Sequence, residues 1–297
     1  MNQEHGHAFT SLRDRIRARL DRRRGADTLA GLSSILRMRL DSWDEPDSGD
    51  GPVLLAGQPA APPVCLIHTA AGSVTPYVRM AAVMGDSHAV FGLPRHRLPS
   101  MMGTAEGSLR DMIRRQADCL ETLAAGGRLV LSGWSLGGVF AHGLASELES
   151  RGHQLGGLVL LDSRIPDMSA VRLLRRPLGR AAQAAIDGVL RAQADLALMG
   201  HALSLARSQF IASVALGGAF EPAPLKCPTV VVVAGRSGLD EADIELWRDA
   251  ATGGCTVVRL DCGHEDLISD RWAGAVAAAI LSVAAPAPAD TPSSPPG

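Results

Sequence analysis

From residue 53 onward, short apolar runs alternate with amphipathic stretches. The runs Val53–Ala56, Val64–Ile67, His88–Gly92, Arg128–Ser132, Leu158–Leu161, Thr229–Ala234 and Thr256–Leu260 are four to six residues long. They are rich in Val, Leu and Ile and are bounded by turn-forming residues, which predicts seven strands. Stretches with helical spacing lie between most of them, at Thr75–Met84, Ser108–Ala125, Leu136–Ser150 and Asp240–Ala250, and a last one covers Trp272–Val283. Alternation of this kind predicts an α/β domain: a mostly parallel sheet of about seven strands with helices on both faces.

Two helical patterns precede the alternation. Leu12, Ile16 and Leu20 form a narrow apolar stripe on an Arg-rich helix, and Leu29, Leu32, Ile35, Leu36 and Leu40 repeat it. Residues 41–52 are acidic and loop-like. The chain therefore divides into an N-terminal helical extension (1–52), an α/β domain (53–285) and a Pro/Ser-rich tail (286–297) of disordered-linker composition. One segment breaks the alternation: 67 residues (162–228) separate the strand ending at Leu161 from that beginning at Thr229. A crossover needs only about a dozen. The excess has a helical pattern rich in Ala, Leu and Arg. It is read as a lid insertion at about 163–228, against the plainer alternative of a surface excursion with no gating role.

Composition narrows the class. Apolar residues are 46% and charged residues 20% of 297, the balance of a globular chain. No apolar run reaches the ~18 residues of a membrane span, and a net charge of −2 gives no field for nucleic acid. Five cysteines form no Cys-x-x-Cys pair. Their odd number and the lack of a secretory signal point to a reduced, cytoplasmic chain without a metal site.

The chemistry concentrates at Gly133-Trp134-Ser135-Leu136-Gly137-Gly138. A predicted strand, a Gly-x-Ser-x-Gly turn and a predicted helix in succession form the nucleophile elbow of the α/β-hydrolase fold. Ser135 is the candidate nucleophile; the alternative is an ordinary turn with Ser135 capping the helix. A serine hydroxyl needs a base, usually a histidine oriented by a carboxylate, and in this fold the chain order is Ser, acid, His. Of the histidines after Ser135, His142 lies two turns into the helix behind the elbow, His153 falls at the wrong end of the sheet, and His201 is inside the insertion. His264 follows the last strand, at the sheet end where loops gather, and is favoured. Asp162 at a strand tip is preferred as the acid over Asp240, which follows the next strand and suits a helix N-cap. An oxyanion hole needs two backbone N–H donors: Leu136, after the nucleophile, and Ala70, in the loop Ile67-His68-Thr69-Ala70-Ala71-Gly72-Ser73. His68 precedes Ser135 and is assigned to packing or support.

With these motifs in place, residues 53–283 resemble the thioesterase domains that end polyketide and nonribosomal peptide assembly lines. Gly133-Trp134-Ser135-Leu136-Gly137-Gly138 is a typical elbow of that family. Leu66 to Ser73 resembles its early oxyanion segment, Leu160-Leu161-Asp162-Ser163 its strand-end acid motif, and Gly263-His264 its terminal histidine motif. Thr69 and Ala71 stand where Pro and Gly are common in the family. The resemblance implies that Ser135 takes an acyl chain from the phosphopantetheine thioester of an acyl or peptidyl carrier protein. Release is then by water, or by a hydroxyl or amine of the chain itself. No metal or cofactor of the protein's own is implied. The leading helices resemble those through which polyketide thioesterases dimerise, so a homodimer is expected.

Other clusters admit two readings. Residues 8–24 carry seven arginines and two aspartates, which suits docking of an acidic carrier or simply a solvated helix face. Arg172, Arg175, Arg176 and Arg180 suit the pantetheine phosphate or the carrier. Leu173, Leu174, Ile186, Val189, Leu190, Leu196 and Leu198 suit an acyl channel or mere helix packing. Besides a releasing thioesterase, the sequence admits a free-standing proofreading thioesterase, a general esterase or acyltransferase, or a hydrolase-fold binding protein without turnover. An intact triad argues against the last.

Overall fold

A computed structural model describes residues 51–59, 61–70, 72–95, 109–166, 213–214, 216–218 and 220–284. The expected N-terminal helices and Pro/Ser-rich tail lie outside the described residues, as do most of the expected lid, its arginines and His201.

The seven strands are β1 (Val53–Ala56), β2 (Pro63–Ile67), β3 (Ala89–Leu93), β4 (Val130–Trp134), β5 (Gly157–Leu161), β6 (Thr229–Ala234) and β7 (Cys255–Leu260). The helices are α1 (Val78–Met84), α2 (Leu109–Ala124), α3 (Leu136–Ser150), α4 (Glu241–Ala250) and α5 (Asp270–Leu281). The seven strands and five helices expected of the α/β domain are thus present. Helix α1 starts at Val78 because Thr75–Tyr77 form a separate 3-10 turn, and β4 runs to Trp134 because Gly133 and Trp134 still pair with Leu160 and Leu161 of β5. Helix α5 starts at Asp270 because Ser269, with extended backbone, breaks the preceding short 3-10 turn.

The sheet order is β1-β3-β2-β4-β5-β6-β7. Only β1 runs antiparallel, against β3 at the edge; the other pairings are parallel. Strands β2, β4, β5 and β6 are central and buried, and all but β4, which carries Ser132 and Gly133, read as mainly apolar runs because both faces are covered. From β2 the chain steps one way to β3; from β3 it returns past β2 to β4 and then continues to β7. Right-handed crossovers therefore put α1 on one face and α2, α3 and α4 on the other. The packing agrees: α1 contacts α5, and α2 contacts α3. The reversal of direction falls between β2 and β4, so a crevice opens at their C-terminal ends.

Helix α3 is the most deeply embedded, with ten of its fifteen residues buried. At its C-terminus Glu149 accepts the backbone N–H groups of Lys226 (2.9 Å) and Cys227 (2.8 Å), fixing the chain as it enters β6. Mid-helix, His142 is packed between Phe220 and Trp247, each ring centroid 5.4 Å away. Neither of its ring nitrogens has a hydrogen-bond partner among the described residues. Burial pushes its imidazole from 6.5 down to about 3.

This gives His142 a pH signature. Below about pH 6.5 the unfolded chain takes up a proton that the folded chain refuses, so stability falls as pH drops. Between pH 8 and pH 5 this group alone costs about 2 kcal/mol. His142→Leu removes that loss. Urea unfolding at the two pH values is expected to show the acid destabilisation shrinking by about this amount in the variant.

Candidate active site

The loops after β2, β4, β5, β6 and β7 meet at the C-terminal end of the sheet, and each contributes one part of the site. Strand β4 ends at Trp134, and Ser135 turns the chain directly into α3. Its backbone lies at φ 59°, ψ −124°, a left-handed φ that a non-glycine residue holds only under constraint. The Ser135 hydroxyl makes no capping bond to the helix, which removes the helix-cap alternative. The turn requires glycine on both sides. A Cβ on Gly133 would fall on the Gly137 backbone, and one on Gly138 would collide with Ser163 Oγ at the neighbouring strand tip. Ser135 itself is 9% exposed.

Asp162 follows β5 and is the other non-glycine residue with positive φ among the described residues, at 47°. Its carboxylate is 3% exposed and is saturated with donors. Oδ1 accepts the N–H of Ala234 (3.0 Å) and the hydroxyl of Ser237 (2.8 Å), and Oδ2 lies 2.6 Å from His264 Nδ1. Asp240 takes no part: it is the N-cap of α4, in a capping box with Asp243. Asp162, and not Asp240, is the aspartate placed against His264. The last residue of β6 and the loop after it instead supply two donors to the acid that follows β5.

Past Asp162, Trp247 Nε1 donates to Ser163 O (2.7 Å), and Arg164 pairs with Asp243 (2.9 Å) and donates to Gly238 O. These contacts lock the post-β5 and post-β6 loops together. His264 sits where β7 passes into a 3-10 turn, Glu265–Ile268. Its approach is held by Arg236 N–H to Cys262 O (3.0 Å) and Gly263 N–H to Asp266 Oδ2 (2.6 Å). Burial pushes the adjacent Cys262 thiol up to about 11, so it stays a protonated packing group. With Nδ1 committed to Asp162, Nε2 is the imidazole nitrogen left to face a hydroxyl.

Trp134 is the contact that sequence reasoning missed. Its indole N–H donates to the carbonyl of His264 (3.0 Å), and its ring lies against the imidazole, centroids 4.7 Å apart and 30° from parallel. Tyr77 was missed too. Its buried hydroxyl donates to Ile67 O at the tip of β2 (2.9 Å) and accepts Trp134 N–H at the tip of β4 (3.0 Å), bridging the switch point. Trp134 lies inside the elbow motif and Tyr77 is the chain's single tyrosine, but neither position signals these partners.

The loop after β2 is closed on itself by Thr69 N–H to Ser73 O (2.9 Å) and Gly72 N–H to Thr69 O (2.8 Å). Ala70 is buried at its apex, and its N–H has no backbone acceptor among the described residues. Leu136 is the first residue of α3, so its N–H precedes the helical ladder. Of the family-atypical positions, Thr69 takes part in this closed loop, and Ala71 lies outside the described residues. His68 packs on Phe140 with Nδ1 near Thr69 O (2.9 Å), and His153 pairs with Glu121 far from the elbow. No group of three or more potential metal ligands occurs among the described residues, and no described helix is long and apolar enough to cross a membrane.

Comparison with known proteins places this geometry. The family model described as "Thioesterase domain" matches residues 62–282. The chain is 31% identical over 204 residues to the spectinabilin polyketide synthase system protein NorC of Streptomyces orinoci, covering 66% of this chain and 8% of that protein. It is 24% identical over 274 residues to a dimodular nonribosomal peptide synthase of Bacillus subtilis (strain 168), covering 82% of this chain and 11% of that one. The chain thus spans a small fraction of these relatives. Among solved structures, the Vlm2 thioesterase domain bound with a dodecadepsipeptide superposes with a TM-score of 0.62 at 21% identity, over 78% of this chain and 96% of that one, which is likeness of fold.

The Gly138–Ser163 contact is testable as a pair. Gly138→Ala is expected to destabilise the protein by about 1–3 kcal/mol through overpacking. Adding Ser163→Gly, which removes the colliding atoms, is expected to recover part of that loss. Thermal unfolding of the two single variants and the double variant measures the coupling.

Proposed function

The chain belongs to the thioesterase-domain family, the hydrolases of polyketide and nonribosomal peptide systems, and on that premise we propose that Ser135 accepts an acyl chain from the phosphopantetheine thioester of an acyl or peptidyl carrier protein and releases it. The observation that carries the proposal is the Asp162–His264 hydrogen bond beside a strained, uncapped Ser135.

In this mechanism Ser135 Oγ attacks the thioester carbonyl while His264 Nε2 takes its proton. Negative charge builds on the carbonyl oxygen, which the N–H groups of Leu136 and Ala70 stabilise at the positive end of α3. The C–S bond breaks, and the pantetheine thiol leaves with the proton from His264. Water, or a hydroxyl or amine of the bound chain, then attacks the acyl-Ser135 ester. His264 takes the attacker's proton and returns it to Ser135, giving a free acid or a macrocycle. Asp162 holds the Nδ1–H tautomer and balances the imidazolium. These steps need no metal or cofactor of the protein's own.

That the relatives named above are proteins of polyketide and nonribosomal peptide synthase systems favours chain release over proofreading or general ester hydrolysis. The described cysteines, all unpaired, suit a cytoplasmic setting. Residues 1–52 and the arginines at 172–180 remain our proposed dimerisation and carrier-docking elements.

A fluorophosphonate is expected to label wild-type protein and to leave Ser135→Ala unlabelled. On acyl-loaded carrier protein, Ser135→Ala is expected to lose at least about a thousandfold in kcat, and Asp162→Asn about 10⁴-fold through the wrong histidine tautomer. Product masses from a panel of acyl carriers separate acid from macrocycle and selective release from indiscriminate clearing. Deletion of residues 1–50 is expected to turn a dimer into a monomer, read by light scattering.

A further inference from the structure

His264 is gripped at three points. Asp162 fixes Nδ1 at 2.6 Å. The Trp134 indole face lies against the imidazole at 4.7 Å. The same indole's N–H holds the His264 carbonyl at 3.0 Å. The first contact fixes a ring nitrogen but leaves the ring free to pivot about that bond. The second removes the pivot, because the ring cannot turn without pushing through the indole plane. The third fixes the backbone from which the imidazole hangs, at the entrance of the 3-10 turn.

Trp134 is itself immobile. It is 1% exposed, it pairs with Leu161 as the last residue of β4, and its backbone N–H is held by the Tyr77 hydroxyl. It is also the residue immediately before Ser135. One side chain therefore links the strand that carries the hydroxyl to a loop 130 residues further on.

We propose that Trp134 is the positioning residue that aims His264 Nε2 at Ser135, through its indole N–H on the histidine carbonyl and its ring face on the imidazole. The proposal rests on the reading of His264 as the base. The indole holds the base and itself exchanges no proton, so its loss degrades the direction of proton transfer and leaves substrate binding in place. A hydrogen bond and a stacked ring are separable: Phe keeps a ring and loses the N–H, and Leu loses both.

The test combines turnover with a spectroscopic signature of the resting protein. On a small soluble acyl thioester, Trp134→Phe is expected to lower kcat about tenfold and Trp134→Leu about a hundredfold, with KM within about twofold. The short Nδ1–H···Oδ2 bond is expected to give a low-field imidazole proton in the wild-type NMR spectrum. That proton disappears in Asp162→Asn, broadens in Trp134→Phe and is lost in Trp134→Leu. A purely structural role would lower the melting temperature and leave kcat and this proton unchanged in the folded Phe variant, which would overturn the proposal. So would a KM rise that accounts for the activity loss, or a wild-type spectrum without the proton. Turnover surviving in Ser135→Ala would instead refute the serine mechanism, and the NMR comparison would still decide whether Trp134 holds His264.

Discussion

The site depends on the register between β4 and β5. Trp134 lies opposite Leu161, so the two strands end at the same level and their next residues, Ser135 and Asp162, stand on adjacent tips. Each continues its ladder by one bond before turning: Ser135 N–H to Leu161 O (2.8 Å) and Asp162 N–H to Val232 O (2.7 Å). Each then leaves the sheet with a positive φ. Left-handed backbone at a non-glycine residue costs about 1–3 kcal/mol. It persists here because the strands beneath are fully buried and admit no one-residue slip, which would turn their apolar faces over.

Around these two turns the loops divide the work. The post-β7 loop brings the imidazole. The post-β6 loop, which in many sheets of this design brings the acid, here adds Ser237 Oγ to the Ala234 N–H at the end of β6, both donating to an acid already in place. The carboxylate is nearly buried, and all three contacts are donors to it, which is the condition under which a buried anion is tolerable. The helix starting at Leu136 and the crevice between β2 and β4 complete the arrangement, joined across the crevice by a single tyrosine hydroxyl.

Much of this was legible in the sequence, for identifiable reasons. Parallel central strands are apolar on both faces, so β2, β5 and β6 are conspicuous runs. Helix α3 could be bounded at Leu136–Ser150 because the elbow starts it. Ser135, Asp162 and His264 were legible because chain order and strand tips restrict which residues can meet. What escaped were side-chain bonds over long separations. Trp134 to His264 spans 130 residues and Ser237 to Asp162 spans 75, and neither leaves a period or a motif. Tyr77 sat in a predicted helix with nothing to mark that its hydroxyl would serve two strand tips. The boundary of β4 moved for a related reason: Gly133 reads as a turn residue, yet it is glycine because the helix backbone presses on the strand there.

His264 is the last of the site's groups along the chain, on the loop that follows the edge strand β7. Polypeptides leave the ribosome N-terminus first. A nascent chain therefore holds the elbow hydroxyl and the Asp162 carboxylate well before it holds the imidazole that donates to that carboxylate. The carboxylate too lacks its donors until β6 and the turn after it emerge, since Ala234 and Ser237 come 72 and 75 residues later. Docking of the final strand thus completes the sheet edge and the Asp162–His264 contact in one event, and an interrupted translation product ending before residue 264 carries the strained elbow without the imidazole.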